Sequence, residues 1–185
     1  MDSQMPVEEA QRQVALVSRR LGLLHLAFAE VLVRYLGEEE GQKMTARAIK
    51  EYGRLIGEKK KELALEEEED LTPETFLGLS DLPSIGMHDQ IDEVEVDGEK
   101  RIRAHGCVMG KVWKELGKDE LGRSYCMVDP ASCMAFNPEL KFVHTKALPD
   151  GDPYCELVIR PTTEEDRSEF LSNDTNWTTI EGKNK

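Results

Sequence analysis

The sequence predicts an α+β fold: long N-terminal helices packed on a small, mainly antiparallel sheet, with short helices inserted between strands. Three observations carry that expectation. Apolar residues recur every three or four positions through the first 36 residues. An Asp-Gly pair separates two alternating segments near residue 97, and two more strand-like runs flank a Pro-Asp-Gly-Asp-Pro turn near residue 150. With 185 residues the chain has the length of one average domain. We expect a single unit over 1–185, with a helical half (1–70), a linker or lid (71–90), a Cys-rich α+β half (91–161) and a polar C-terminal arm (162–185).

The first helix is expected from about Val7 to Leu36. Val14, Val17, Leu21, Leu24, Phe28, Val31 and Tyr35 fall on one face, and Leu16, Leu23 and Leu32 widen it. That width favours packing on the core over a dimer seam, and Gly37 ends the helix. A second helix runs from Glu38 to about Glu67, with Met44, Ile49, Tyr52, Ile56 and Leu63 expected inside. Gly53 and Gly57, one turn apart, would let another element come close. Pro73, Gly78, Pro83 and Gly86 punctuate the linker.

Beyond it, Val94 and Val96 lead into Asp97-Gly98, and Ile102 and Ala104 resume the alternation, which is a hairpin signature. A short helix over 106–117 carries Cys107, Val108, Val112, Trp113 and Leu116. Asp129-Pro130 is suited to cap another, closed by Asn137-Pro138. Residues 140–148 and 154–159 then form the second hairpin. In the arm, Phe170, Leu171, Trp177 and Ile180 are the residues able to dock.

Lys and Arg total 24 against 37 Asp and Glu, a net charge of −13. So acidic a chain repels phosphate backbones and anionic lipid, so neither nucleic acid nor a membrane is the expected partner. The longest apolar stretch is broken by His25 and Glu30 and is shorter than the ~20 residues a membrane span needs. The start of the sequence is acidic and polar, unlike a signal peptide. A cytoplasmic location with free thiols is the expectation for Cys107, Cys126, Cys133 and Cys155, which contain no CxxC pair.

Reactive side chains concentrate in the second half: His105, Cys107, Cys126, Asp129, Cys133, His144 and Cys155. The chain has no phosphate-binding glycine loop, dinucleotide fingerprint, GxSxG elbow or HExxH pair, which argues against kinases, dehydrogenases, α/β-hydrolases and zincins. Each of these residues also has a plainer reading. Free cysteine packs as a small hydrophobe, Asp129 can simply cap, Asn137-Pro138 can simply stop a helix, and His25 among leucines is a core histidine. His88 in the linker is expected to be exposed.

A spaced pattern crosses this half. Gly106-Cys107 opens a helix with Trp113 and Leu116; Leu121-Gly122-Arg123-Ser124-Tyr125-Cys126 and Asp129 follow. Then come Phe136-Asn137-Pro138-Glu139-Leu140, His144-Thr145, Gly151-Asp152 and Tyr154-Cys155. Over residues 106–159 this order resembles the L-2-amino-thiazoline-4-carboxylic acid hydrolase family. The resemblance implies a hydrolase that adds water at the amidine-like C2 carbon of a small cyclic substrate, giving N-carbamoyl-cysteine without a cofactor. It matches Cys107, Cys126 and Cys155 as cysteines and Asp129 as the acid.

Two routes to C2 stay open: attack by a thiolate, or attack by water deprotonated by an Asp or His. On the first, Cys155 is the favoured nucleophile and Cys107, at its helix N-terminus, the second, with Asp129 as base or orienter and His144 as proton donor. Asn137 is a candidate to polarise a ring nitrogen. Arg103, Lys111 and Arg160 are candidates, from charge alone, to hold the substrate carboxylate. Two other classes stand beside this one. His105, Cys107, Cys126, Cys133, His144 and Cys155 are soft ligands suited to zinc or iron–sulfur. A non-catalytic ligand sensor resembling vinyl-reductase-like domains is the third class. A homodimer through the N-terminal helix is the one protein partnership the sequence suggests.

Overall fold

In the computed structural model, which describes residues 5–80, 82–83, 85–172 and 180–181, the chain is an α+β fold with two long N-terminal helices beside a four-stranded antiparallel sheet. Helix α1 spans Val7–Leu36 and α2 Glu38–Glu66, joined only by Gly37 at φ +85°, a left-handed value that glycine adopts without strain. Glu38, Glu39 and Glu40 place negative charge at the positive end of α2. A short helix α3, Pro73–Gly78, lies within the stretch read as a linker. Thr72 caps it by accepting from the Thr75 N–H, and it buries Phe76.

The face that α1 turns inward is not the one its periodicity suggests. Ser18, Gly22, His25, Leu26 and Ala29 are buried, whereas Val17, Leu24, Phe28, Val31 and Tyr35 are exposed. The expectation that the stripe packs on the core holds for Val14 and Leu21, which are partly buried against it, and is overturned for the rest of the stripe. Its reason is contact distance: the inward face is built from small residues that admit a neighbouring helix, and the bulky stripe lies off that contact. The same logic governs α2, where Gly41, Thr45, Ile49, Gly53, Gly57 and Ala64 are buried and Tyr52 is not. A methyl group at Gly53 would collide with Ala131, and one at Gly57 with the Ser132 carbonyl. These glycines let helix α6, Val128–Phe136, lie directly on α2.

Strands β1 (Gln90–Val96) and β2 (Glu99–His105) form the expected hairpin, with Val96 opposite Glu99. Asp97 and Gly98 both take positive φ, as the two-residue turn requires. Strands β3 (Leu140–Lys146) and β4 (Cys155–Pro161) form the second, and the order across the sheet is β1-β2-β4-β3. Between the hairpins lie α4 (Val108–Glu115), α5 (Asp119–Arg123), a 3-10 turn over Ser124–Met127, and α6. Trp113 of α4 is fully buried and donates its indole N–H to the Gly22 carbonyl at 3.2 Å. A methyl at Gly122 would strike its ring, so one aromatic side chain fixes α4 and α5 against α1.

The inner face of the sheet carries Ala104, Phe142, Cys155 and Leu157, packed with Phe76, Cys133 and Phe136. Past β4, Thr163 and Asp166 make a capping box that starts α7, Glu164–Leu171, inside the segment expected to be a polar arm. Phe170 and Ile180 are buried and Leu171 is exposed; Trp177 lies outside the described residues. His25 is the core histidine expected, near the Leu121 carbonyl and Ser124 hydroxyl at 3.1 Å. His88 is half-buried rather than exposed, and burial lowers its pKa.

Candidate functional site

Where α4, α5, α6, β3 and β4 converge, the chain gathers one histidine, three carboxylates, an arginine and four thiols. Asp129 sits in the first turn of α6 rather than at its cap, because the chain enters the helix from the 3-10 turn. Its carboxylate is thus not spent on capping. His144 lies on β3 two residues beyond Phe142 and so points to the same, inner face. Its ring nitrogens lie between two carboxylates: Nδ1 is 2.7 Å from Glu181 Oε1 and Nε2 is 3.5 Å from Asp129 Oδ2. The His144 backbone N–H also donates to Glu181, at 3.1 Å. Arg123, at the end of α5, pairs with the other Glu181 oxygen and with Asp150 Oδ2 at 3.3 Å. The string runs Asp129–His144–Glu181–Arg123–Asp150.

The two carboxylates flanking His144 differ in charge state. Burial acts to raise the Glu181 pKa, but the hydrogen bond from His144 and the His144 and Arg123 charges outweigh it and hold the group at about 2. Asp129 moves the other way. Burial lifts it above the ordinary aspartate value, helped by the Glu181 charge, and His144 and Arg123 only partly offset the rise. Although protein atoms crowd around it, Asp129 keeps 35% of its side-chain surface accessible, whereas His144 keeps 3% and Glu181 4%. Of Asp129, His144 and Glu181, Asp129 is the one that a small molecule can reach.

Cys107, Cys126 and Cys155 all lie close enough to Asp129 for its charge to raise their pKa. Cys107 opens α4 as expected, and N–H groups of Gly110 and Met109 at that helix end favour its thiolate. Burial nevertheless wins, and the net shift is upward. Burial likewise pushes Cys155 to about 11 despite a 3.4 Å contact from the Leu148 N–H, and lifts Cys126 well above the ordinary value. Cys133, one turn beyond Asp129 on the same side of α6, is fully buried, pushed up to about 12 by burial and by the Asp129 charge, and packed with Phe136. All four cysteines are free, and burial keeps all four as neutral thiols at neutral pH.

Other residues named from the sequence lie elsewhere. Asn137 donates to the Leu71 carbonyl at 2.8 Å and accepts from the Glu139 N–H at 2.9 Å, tying off the end of α6. Arg103 pairs with Glu156, Lys111 with Asp89 and Arg160 with Glu99. The cation that does face the site, Arg123, was in the quoted pattern without an assigned role. Glu181 went unnoticed altogether, since no local spacing links residue 181 to residue 144. His105 is 3.2 Å from Asp92 at the sheet edge, apart from the thiols. Among the described residues no group of three or more His, Cys, Asp or Glu is placed to hold a metal ion. A charged groove lined by Glu30, Arg34, Glu38 and Lys118 lies between α1, α2 and α5 and contains none of the site residues.

The α+β scaffold thus sets a reachable carboxylate, a histidine and free thiols at one convergence of helices and sheet. The chain belongs to the L-2-amino-thiazoline-4-carboxylic acid hydrolase family, whose model matches residues 18–159. No curated protein and no solved structure matches it. Among the described residues no helix is long and apolar enough to cross a membrane.

Proposed function

We propose that the protein is a hydrolase that opens a small cyclic C–N/C–S substrate of the 2-amino-thiazoline-4-carboxylate kind, giving N-carbamoyl-cysteine. The observation that carries this reading is the Asp129–His144–Glu181 string, with Asp129 alone accessible. Its family membership supports the substrate class.

Of the two routes open from the sequence, the charge states favour water over a thiolate. A carboxylate whose pKa burial has raised is a stronger base than an ordinary one. Asp129 takes a proton from water as the oxygen bonds to C2, and the C2=N3 π pair moves onto N3, which takes up that proton. The C2–S bond then breaks as the new C2 hydroxyl gives up its proton and becomes the carbonyl, and the departing sulfur takes that proton, relayed through His144. Glu181, charged throughout, fixes the imidazole orientation and stabilises its protonated form. Neutral Cys107, Cys126 and Cys155 give the pocket soft, polarisable walls suited to a ring containing sulfur. Arg123 supplies the positive charge nearest the site and is the candidate anchor for the substrate carboxylate. The four reduced cysteines fit a cytoplasmic setting.

The test is incubation of purified, metal-analysed protein with L-2-amino-thiazoline-4-carboxylate and close cyclic analogues, followed by mass spectrometry. Gain of one water with release of a free thiol is expected. A bound ligand that is never turned over would instead support the sensor reading.

A further inference from the structure

The outer face of the sheet gathers positive charge in a chain whose net charge is −13. Side chains alternate along a strand, so with Cys155 and Leu157 on the inner face, Glu156 and Arg160 stand on the outer one. Arg101 and Arg103 of β2 lie beside them, with Arg103 directly opposite Glu156. Two carboxylates serve these arginines. Arg160 and Arg101 donate to Glu99, while Arg101, Arg103 and the Thr145 hydroxyl donate to Glu156. Every oxygen of the two acids is thereby used, and donors are left over. Among the described residues, Nη1 and Nη2 of Arg103 have no acceptor, and neither has the buried Nε of Arg101. Lys146 of β3 makes no ion pair there either; its ammonium donates to the Tyr154 hydroxyl at 2.8 Å.

Tyr154 joins the two cations with donors to spare. The Arg103 guanidinium carbon is 5.1 Å and Lys146 Nζ 4.7 Å from its ring centroid. His105 packs its ring 5.2 Å from the same centroid and turns Nε2 toward Asp92, which also accepts from Gln90. Arg103 is near enough for its charge to act against that of Lys146. Two like charges held together repel, and an anion that meets both removes the repulsion. Arg103 keeps 30% of its side chain accessible, and Lys146 and Tyr154 are half-buried, so a ligand can reach all three.

We propose that this end of the outer face binds a small soluble anion through a phosphate group, held by the Arg103 Nη pair and the Lys146 ammonium beside Tyr154. The forked Nη donors match two phosphate oxygens, and Lys146 supplies a point charge to a third. Glu99 and Glu156 leave two of the four cations unmatched. A phosphate monoester, at about −1.5 to −2 near neutral pH, balances them where a carboxylate would not. The ligand is a soluble one, since so acidic a chain repels an anionic bilayer. The site lies across the sheet from Asp129 and His144 and does not depend on the hydrolase reading.

Isothermal titration of the full chain with inorganic phosphate at low ionic strength tests this. Saturable binding with a Kd on the order of 1 mM is expected, weakening as salt is raised. Lys146→Gln should weaken it about tenfold, and Arg103→Gln by at least as much. Lys146→Gln breaks no ion pair and keeps the fold, which its circular dichroism spectrum checks. No saturable heat with the parent chain, or unchanged binding by folded Lys146→Gln, would overturn the proposal. Acetate should bind much more weakly than phosphate, and equal affinity would defeat the assignment of a phosphate. Vesicles of phosphatidylcholine and phosphatidate should not recruit the protein; recruitment would contradict a soluble ligand. Lys59→Gln, at an exposed lysine of α2, should leave the affinity unchanged, and a loss there would reduce the site to diffuse attraction.

Discussion

Two charged networks on opposite faces of the sheet make an instructive pair. On the outer face, Glu156 of β4 is 1% exposed and accepts from Arg101 and Arg103 at 2.8 Å, and from the Thr145 hydroxyl at 2.8 Å. Burial alone would raise it, but those donors hold it at about 2. On the inner face, Asp129 has a histidine nitrogen 3.5 Å away, a raised pKa and a third of its side chain accessible. The first carboxylate has all its needs met within the protein. The second is left under-partnered where a small molecule can reach it. A saturated network fixes a fold; an unsaturated one keeps chemical reactivity at a cost in stability.

The largest expected effect follows from that contrast. Asp129→Asn should lower kcat/KM about a thousandfold, or ~4 kcal/mol of barrier. It should leave the melting temperature at pH 7 unchanged or higher, because a carboxylate whose pKa is raised on folding disfavours the folded state when ionised. Activity and thermal melts on one preparation check both halves. A variant that loses activity only because it unfolds would break the comparison.

Next comes its mirror image. Glu156→Ala leaves two arginines facing a vacated, buried position and should cost about 3 kcal/mol. That is a fall on the order of 10 °C in a thermal melt. The turnover of the protein that remains folded should be unchanged. If turnover fell with stability intact, the outer network would belong to the site.

Glu181→Gln ranks third, with a drop of roughly ten- to hundredfold in kcat/KM, since the imidazole loses the anion that orients it. Glu181 and Glu156 both sit at about 2 against a usual 4.5. Their lowered values add stability at neutral pH, and it is lost as pH falls from about 5 toward 2. Acid melts of the Gln variant should accordingly be flatter than those of the parent. Smallest of all, Cys107→Ser, Cys126→Ser and Cys155→Ser should each keep activity within about threefold, as neutral thiols do not attack. A collapse in the Cys155→Ser variant would restore the thiolate route.

How much of this was legible in the sequence follows from the range of each interaction. Helix α1, helix α2 and both hairpins were, because apolar spacing, Gly37 and Asp97-Gly98 are local signals. The close packing behind Gly53 and Gly57 was legible too, though not that α6 would fill it. The buried face of α1 was misjudged: periodicity marks an apolar stripe but not which neighbour covers it. Within the site, Cys107, Cys126, Asp129, His144 and Cys155 were marked by residue type and order, and all five converge. The thiol charge states were not, since burial outweighed a helix N-terminus that only sequence position suggested for Cys107. Glu181 reaches His144 across 37 positions, and a contact of that kind leaves no trace in spacing.

The pH dependence of kcat/KM on the thiazoline substrate tests the central claim most directly. A base acts only when deprotonated, so activity should fall as pH drops through the raised Asp129 value, which lies above the 3.8 of an ordinary aspartate. It should then stay level up to about pH 9. A rate that instead keeps climbing toward the value of about 11 held by Cys155 would show a thiolate nucleophile and contradict the account.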